Sequence, residues 1–341
     1  MQHRWLDIVV DPVHRRPLTF DGHQLTAADG TRYPVIEGIP VLLRADVAPT
    51  HGRALHTLKM AEFARQGHTI DPSMALDLPE PMKTQARRDI ERGIDPVDAI
   101  IRRMLPLTNG LSYRALSPSE EIPIPRLPEL GAGERLLDIG CSWGRWTIAA
   151  ARAGFRPTGL DPLIGPLIAA KRLAARLGVE ADYICGDARC LPFATSTFDR
   201  VHSYSTLQHF SDENCVQSAR EIGRVLKPGG RSTVQMANRA GLRSAWHRMR
   251  RGFRAPQRFE VRYRSLSHLI AMFSEAVGPT DISIDCFFGL GLQASDIAFM
   301  RPAGRMAMHL SEGLKRAAHA LPGLRTIADS VYCSSTKLPD A

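Results

Sequence analysis

A glycine-rich turn after a short apolar run constrains most strongly how this chain of 341 residues can fold. The run Leu136-Leu137 ends at Asp138, and the turn that follows contains Gly140 and Gly144. Apolar residues at helical spacing come next, so the order predicts a buried strand, a tight turn and a helix. The free N–H groups and the dipole of that helix would face a ligand in the turn. Glycines suit such a turn because a side chain would hold the ligand away from the backbone.

The composition is that of a globular protein with a large core. Hydrophobic residues make up 44% of the chain. No apolar run approaches the roughly 18 residues of a membrane span, and the first apolar run is too short for a signal peptide. The six cysteines form no CxxC pair, so we expect reduced, buried thiols and no metal site. These features predict a soluble, cytoplasmic protein.

From residue 135 onward, strand-like and helix-like segments alternate. The strand-like runs end at or just before Asp138, Asp161, Asp187 and Ser203. This alternation predicts an α/β fold, namely a Rossmann-like, doubly wound and mostly parallel sheet with an antiparallel last strand. Ligands of such sheets bind at the carboxyl ends of the strands, which is where these four polar residues fall.

The acid that closes the second strand, Asp161, indicates a nucleoside, because its carboxylate can accept both hydroxyls of a ribose. A dinucleotide would call for the pattern G-x-G-x-x-G, whereas residues 140–144 have G-x-S-x-G. Trp143 would also crowd a pyrophosphate, and Arg145 is the one obvious basic residue of the loop. The loop therefore favours a nucleoside cofactor without a pyrophosphate.

Four motifs follow one another between residues 135 and 300, namely LLDIGCSWG, TGLDP, ICGDARCLPFATSTFDRVHSYSTLQHF and REIGRVLKPGG. In this order and spacing, they resemble the class I S-adenosylmethionine-dependent methyltransferases, in the branch that acts on small molecules and quinones. The resemblance implies S-adenosyl-L-methionine as the cofactor and methyl transfer as the reaction. Ser142 departs from the family pattern, which usually has a second glycine there.

The resemblance also implies a role for each motif. The loop holds the methionine part of the cofactor, Asp161 binds the ribose, Asp187 and the Ala188 backbone contact the adenine edge, and Ser203 lines the methionine end. The implied cofactor-binding residues are Asp138, Gly140, Cys141, Ser142, Gly144, Asp161, Pro162, Asp187, Ala188 and Ser203.

Displacement at a sulfonium methyl needs the acceptor, the carbon and the sulfur roughly in line, so positioning carries most of the rate. A base is needed only if the acceptor loses a proton. His209, just past the fourth strand, is the candidate catalytic base, with a structural role as the alternative. His202 is expected to pack in the core. The sequence does not tell whether O, N or C is methylated.

The net charge of +9 is concentrated in one segment. Residues 239–264 contain nine arginines and one acid, with aromatic residues between them. This basic segment suits a small anionic acceptor such as a natural product, sugar or lipid, and it leaves RNA and peripheral membrane contact open. A solvated helix face is the alternative. The expected substrate-lid residues are Tyr113, Arg248, Arg251, Arg254 and Tyr263.

The segments before the first motif predict additional modules. Residues 1–45 predict short strands around Asp-Gly turns, and their YPVIEGIPVLL resembles the end of a Trm112-like module. That zinc-ribbon-derived family has two cysteine pairs, both of which are missing here, so the module would be degenerate and without metal. Residues 46–130 predict a helical cap and linker, with helical character over 55–65 and 81–105.

The cofactor-binding domain is predicted over residues 131–302. Its closing antiparallel strands are expected over residues 282–291 and 297–301. For residues 303–341 we expect one helix and a frayed polar tail.

Methyl transfer to a small, anionic molecule is the function that these patterns predict. One alternative is an RNA methyltransferase, since Trm112-like modules also occur with an rRNA guanine methyltransferase family. Against it, no Asn-Pro-Pro-Tyr-like motif follows the fourth strand. The other alternative is a scaffold that binds the cofactor without turnover. The sequence does not indicate an oligomeric state.

Overall fold

The computed structural model describes residues 4–70, 78–100, 103, 123–125, 127, 129–291 and 293–339. The chain divides into two compact units, Met1–Thr197 and Phe198–Ala341. None of the helices in the described ranges is long and apolar enough to cross a bilayer.

A small antiparallel sheet forms the N-terminal part of the first unit, as the Asp-Gly turns predict. The Asp21 carboxylate accepts the backbone N–H groups of His23 and Gln24, each at 2.8 Å, and Asp29 accepts that of Thr31 at 2.9 Å. Such side-chain bonds stabilise the turns between the strands. In spatial order the strands are β1 (Thr19–Phe20), β2 (Gln24–Thr26), β3 (Arg32–Ile36) and β4 (Ile39–Pro40).

Two helices follow in this unit, α1 (Ala54–Arg65) and α2 (Glu80–Glu91). The helical segment expected over residues 81–105 is interrupted, because a turn follows α2 before residues 96–100 become helical. Gly93 has a φ of 87° in that turn, a left-handed conformation that ends helices.

Strands β5 to β11 belong to a seven-stranded, mostly parallel sheet with an antiparallel end, which confirms the predicted fold class. In the first unit β5, β6 and β7 are parallel neighbours. Two helices connect them, and both cover the strands with apolar side chains. The elements are β5 (Arg135–Ile139), α3 (Arg145–Arg152), β6 (Arg156–Asp161), α4 (Ile164–Arg176) and β7 (Asp182–Cys185).

The second unit contains the antiparallel end. Strand β8 is parallel to β9, whereas β11 pairs antiparallel with both β9 and β10. The elements are β8 (Phe198–Ser203), α5 (Asp212–Val225), β9 (Leu226–Ala237), α6 (Leu242–Arg250), α7 (Leu266–Ala276), β10 (Thr280–Cys286), α8 (Pro302–Ala317) and β11 (Ser330–Thr336).

The C-terminal segment corrects two expectations. Strand β11 lies between β9 and β10, where a frayed tail was expected, and its Val331 and Cys333 are fully buried. Residues Ala294–Phe299 form a 3-10 helix, whereas a strand was expected over residues 297–301. The serines of β11 obscure the apolar alternation by which a strand is recognised in a sequence. They are nevertheless placed inside the fold, where they form hydrogen bonds; Ser335 Oγ, for example, lies 2.8 Å from Thr280 Oγ1.

Within the first unit, the segment after β4 is anchored to the parallel strands. Val41 pairs in parallel with Cys185, and the Leu42 N–H donates to the Cys185 carbonyl at 2.7 Å. Farther along, the buried hydroxyl of Thr57 in α1 accepts the N–H of Ile164 at 3.1 Å. Thr57 therefore caps the N-terminus of α4 from outside that helix, because the first N–H groups of a helix have no partner within it.

We expect Thr57→Val to lower the free energy of unfolding by about 1 kcal/mol, because the buried Ile164 N–H loses its acceptor while the side-chain volume is kept. Chemical denaturation measures the change. Thr84→Val, at an exposed position of α2, is the matched control and should stay within about 0.5 kcal/mol of the unchanged protein. Equal effects of the two substitutions would contradict the capping role of Thr57.

Candidate cofactor-binding site

The turn after β5 contains three left-handed residues, Gly140 (φ 75°), Ser142 (φ 49°) and Gly144 (φ 82°). Glycine adopts this conformation freely, whereas other residues do so at a cost of roughly 1–2 kcal/mol. The spacing G-x-S-x-G therefore places its three small residues at the three positions that need them. Ser142 can replace the family's usual glycine because its short side chain fits this conformation.

Gly144 is also required by packing. A Cβ at this position would lie 2.8 Å from the Tyr183 hydroxyl and 2.9 Å from the Ala170 Cβ. Trp143, which was expected to crowd a pyrophosphate, is instead buried in the apolar core around α4. Its side chain faces that core because the left-handed residues on either side reverse the chain. Trp143 therefore does not exclude a pyrophosphate from the turn, whereas the glycine spacing remains unfavourable for one.

Asp138, near the end of β5, is buried and accepts a hydrogen bond from Thr147 Oγ1 of α3 at 2.7 Å. Burial raises the pKa of this carboxyl to about 7, although the bonds from Thr147 lower it. The charge of Asp161 raises it further. Asp138 is thus poised to give up a proton near neutral pH.

Asp161, the last residue of β6, ties that strand to the glycine turn. Its carboxylate accepts the N–H groups of Ser142 and Leu163, each at 3.0 Å. Burial raises its pKa to about 6, although the two backbone bonds and the charge of Arg53 lower it. The hydrogen bonds keep the carboxylate at the carboxyl end of the strand, where a ligand of the sheet would bind.

These two carboxylates fit a cationic nucleoside. Neither forms a salt bridge with another residue in the part of the chain that the structure describes, and each is destabilised in its charged form. The Ser142 hydroxyl beside them is buried and has no hydrogen-bond partner among the described residues. S-Adenosylmethionine would supply an ammonium, a sulfonium and a ribose diol, which complement two carboxylates and a hydroxyl. The residues present therefore fit this cofactor.

Asp187, just after β7, has a partner that the sequence analysis missed. Its oxygens accept the backbone N–H of Arg189 at 2.9 Å, Nε at 3.0 Å and Nη2 at 2.7 Å. The same Nη2 donates to the Ala48 carbonyl at 2.7 Å. A carboxylate has about four acceptor positions, so Asp187 keeps room for one more donor such as an adenine amine.

A cavity beside Asp187 adds residues that were not expected. Most of them come from residues 43–58, which the sequence assigns only to an unspecified cap. The apolar start of α1 was the one signal available, since the extended residues before it have no periodicity. The cavity is lined by Leu43, Arg44, Val47, Pro49, Ala54, Leu58, Pro162 and Asp187.

The first unit thus holds nine of the ten predicted cofactor residues. Cys141 and Ala188 are both buried, and burial raises the pKa of the Cys141 thiol. Ser203, the tenth, is the buried last residue of β8 in the second unit. Tyr113 lies outside the described residues.

In the second unit, His209 is held by the basic segment. Its ring stacks on Phe259 at 4.2 Å, and Nδ1 lies 2.8 Å from the Phe259 carbonyl. Because a carbonyl only accepts, Nδ1 carries the proton and Nε2 is the basic nitrogen. His202 is buried, and burial lowers its pKa to about 4, so that ring stays neutral.

Among the expected lid arginines, two are engaged by the acid of their own segment. Arg254 forms a bidentate pair with Glu260 at 2.7 and 2.8 Å, and Arg251 lies 3.5 Å from the same carboxylate. The Arg251 guanidinium also lies over the Tyr263 ring at 5.7 Å, and Arg248 lies 5.5 Å from the ring of its neighbour Phe253. These contacts fold the segment onto itself.

Comparison with known proteins identifies the central part of the chain. Residues 136–230 match the family described as a methyltransferase domain. The biotin biosynthesis bifunctional protein BioHC of Cellvibrio japonicus is 37% identical over 118 residues, or 34% of this chain and 22% of that protein. The ubiquinone biosynthesis O-methyltransferase of Azorhizobium caulinodans is 35% identical over 107 residues, or 31% of this chain and 42% of that protein. The chain spans less than half the length of these curated relatives.

Among solved structures, this chain is similar to an S-adenosylmethionine-dependent methyltransferase of Methanosarcina mazei. The similarity covers 64% of this chain and 100% of that chain, with 17% identity and a TM-score of 0.46.

We expect the affinity for S-adenosylmethionine to fall as the pH drops through about 7, because Asp138 must be ionised to face a cationic ligand. Below about pH 6, where Asp161 also takes up a proton, the loss should steepen from about tenfold toward a hundredfold per pH unit. Isothermal titration calorimetry across this range measures it. In Asp138→Asn the step near pH 7 should disappear. A pH-independent affinity of the unchanged protein would contradict the assignment.

The stability of Asp138→Asn provides the internal control. The pKa of Asp138 lies above its ordinary value, so the folded state loses stability as the pH rises from about 4 to about 7. Asparagine removes that buried charge, and the free energy of unfolding at about pH 8 should rise by roughly 1–3 kcal/mol. Weaker binding by a more stable protein separates a binding role from general damage.

Arg189→Met should loosen the residues that line the cavity, because the Asp187 carboxylate and the Ala48 carbonyl both lose their donor. We expect faster tryptic cleavage after Arg53 and an affinity for the cofactor lowered by about tenfold. Arg172→Met is the matched control, since the partner of this half-exposed arginine of α4 among the described residues is a distant one, Glu37 at 3.8 Å. Unchanged cleavage and affinity in Arg189→Met would contradict a role of Arg189 in holding the cavity lining.

Proposed function

We propose that this chain, which contains a class I S-adenosylmethionine-dependent methyltransferase domain, transfers the methyl group of that cofactor to a small, anionic acceptor. The observation that carries the proposal is the pair of buried carboxylates at the ends of β5 and β6. A cofactor with two positive charges and a ribose is the ligand that such a pair would bind most favourably.

The residues of the first unit divide the work of binding. When bound, the cofactor supplies a methyl group activated on a sulfonium. Asp161 would accept the ribose hydroxyls, and Ser142 would offer its hydroxyl to the methionine part. Asp187, oriented by Arg189, would accept the adenine amine. The apolar side chains of residues 43–58 would exclude water from the adenine, since they line the adjoining cavity.

The basic segment supports an anionic acceptor. Six of its arginines form no ion pair with a carboxylate in the described ranges, and clustered positive charge attracts anions. These are Arg239, Arg243, Arg248, Arg250, Arg258 and Arg262. The names of the two curated relatives refer to biotin and ubiquinone biosynthesis, and both compounds are small molecules. This favours a small acceptor over RNA.

His209 is the proposed base for an acceptor that loses a proton. Its Nδ1–H donates to the Phe259 carbonyl, so the ring presents Nε2 in the form that can take a proton. An acceptor hydroxyl would need such a base, whereas a neutral amine could be methylated first and lose its proton to water. The proposal therefore assigns His209 a catalytic role in O-methylation.

Methylation of a cell extract with methyl-labelled cofactor tests the function. We expect label in a small, anionic product. Asp161→Ala should lower cofactor affinity by about a hundredfold, since two hydrogen bonds to a charged group are lost. Asp182→Asn is the matched control, because Asp182 is at the N-terminal end of β7, away from the carboxyl ends of the strands. This variant should transfer the methyl group at the normal rate.

Three outcomes would contradict different parts of the proposal. Absence of cofactor binding, or binding unaffected by Asp161→Ala, would remove the assignment of the cofactor site. Label that is released by ribonuclease would keep the cofactor and replace the small acceptor by RNA. Binding without any labelled product would indicate a scaffold.

A further inference from the structure

Helix α6, in the basic segment of the second unit, turns its apolar side chains away from the protein. Leu242, Trp246 and Met249 are 48%, 45% and 57% exposed. Positions i, i+4 and i+7 lie on one face of a helix, so these three side chains form a continuous stripe. The one buried residue of the nine-residue helix is Ser244. Packing onto the core therefore does not explain the apolar residues of α6.

The attachment of α6 fixes the direction of this stripe. The Ser244 N–H donates to Asp329 Oδ1 at 2.7 Å, which satisfies a free donor in the first turn of the helix. A Cβ at Gly241 would lie 2.5 Å from the Asp329 Cα, so the chain passes very close to that residue. The helix is thus held by its first turn on the side of Ser244, opposite the stripe.

The turn after α6 extends the apolar surface. Phe253 has a left-handed φ of 53° after Gly252 at 62°, and its side chain is 66% exposed. A bulky aromatic residue in this conformation is unusual and carries a steric cost. The turn therefore presents the phenyl ring to solvent beside α6, although burial of that ring would favour stability. We call Leu242, Trp246, Met249 and Phe253 the apolar stripe.

Arginines flank the stripe. The Arg250 guanidinium lies 4.8 Å from the centre of the Trp246 ring, and that of Arg248 lies 5.5 Å from the centre of the Phe253 ring. Neither arginine has a carboxylate partner among the described residues. Arg243 donates to the Phe288 carbonyl and likewise forms no ion pair within the described ranges. The charges next to the apolar stripe are therefore uncompensated.

We propose that α6 and the turn after it form a docking surface for an anionic lipid bilayer. Apolar side chains with a tryptophan on one face and arginines beside them are the pattern of helices that lie in a membrane interface. The apolar stripe would enter the acyl boundary, and the arginines would contact the anionic headgroups. Each arginine near such a surface strengthens binding about fivefold.

The surroundings of the apolar stripe favour a bilayer over other occupants. RNA could stack on the exposed Trp246 and Phe253 rings, but it would leave the apolar side chains of Leu242 and Met249 without an apolar partner. A symmetric contact between two copies would bring the same arginines together and oppose association. A bilayer satisfies the apolar and the charged side chains at once.

The four tryptophans make this surface directly observable. Trp5, Trp143 and Trp146 are 3%, 1% and 9% exposed, whereas Trp246 is 45% exposed. A blue shift of the fluorescence on addition of vesicles would therefore report on Trp246. We expect this shift, together with co-sedimentation, with vesicles of phosphatidylcholine that contain roughly one third phosphatidylglycerol, and weakening of both by salt. Pure phosphatidylcholine should bind at least tenfold more weakly.

Matched variants separate the apolar and the charged contributions. The double variant Leu242→Glu/Met249→Glu should lose vesicle binding, whereas Leu130→Glu, at a residue that is 84% exposed in the other unit, should keep it. In the same way, Arg243→Gln/Arg250→Gln should weaken binding by about thirtyfold. Arg87→Gln/Arg88→Gln, on the exposed side of α2, should leave it unchanged.

Trp246→Phe should bind vesicles with no blue shift, which confirms the source of the signal. The proposal is overturned if the unchanged protein ignores the anionic vesicles, or if both double variants bind as well as their controls. It is also overturned if the apolar double variant abolishes self-association or RNA binding while vesicles have no effect. None of these measurements involves methyl transfer, so the docking surface and the proposed reaction can fail independently.

Discussion

The burial of two carboxylates, Asp138 and Asp161, is the constraint on which the glycine turn of the first unit depends, because it raises the pKa of both groups. Parallel pairing of β5 with β6 places Asp138 opposite Gly159, two residues before Asp161. A Cβ at Gly159 would lie 2.9 Å from Thr147 Oγ1, so this glycine leaves room for the hydroxyl that donates to Asp138. The Ser142 N–H then ties the glycine turn to Asp161. Backbone and side-chain donors thus hold both acids in place.

A third acid at the same end of the sheet, Asp187, differs from these two because it has a cationic partner. Asp187 is paired with Arg189, and the same guanidinium reaches the carbonyl of Ala48. The N-terminal segment is thereby connected to the site by a charged bond in addition to the apolar contacts of residues 43–58. The contacts of that segment therefore hold the lining of the cavity in place, and Thr57 adds to them by capping α4.

The second unit shows why the C-terminal strand escaped sequence analysis. Polar residues meet there in a buried network in which the Asp285 carboxylate accepts the hydroxyls of Tyr204 and Ser330 at 2.8 and 2.7 Å. Gln235 of β9 donates to the same Ser330 hydroxyl at 2.6 Å. A strand with such partners needs few apolar residues, because hydrogen bonds satisfy its buried polar groups. In the sequence, the serines of β11 resemble a polar tail, because the hydrogen-bond partners that bury them lie in other parts of the chain.

The sequence by itself determined the features that depend on neighbouring residues. These are the tight glycine turn, the acids at the ends of strands, the Asp-Gly turns and the alternation of strands and helices from β5 to β9, because backbone conformation and periodicity are local properties. Only the tertiary structure decided which charges are compensated and which faces are covered. It joined Arg189 to the Ala48 carbonyl, buried Asp138 and Asp161 without a salt bridge among the described residues, placed β11 inside the sheet and turned the apolar stripe of α6 outward. Each of these outcomes depends on contacts between residues that are distant in the chain or on burial, which local patterns do not contain.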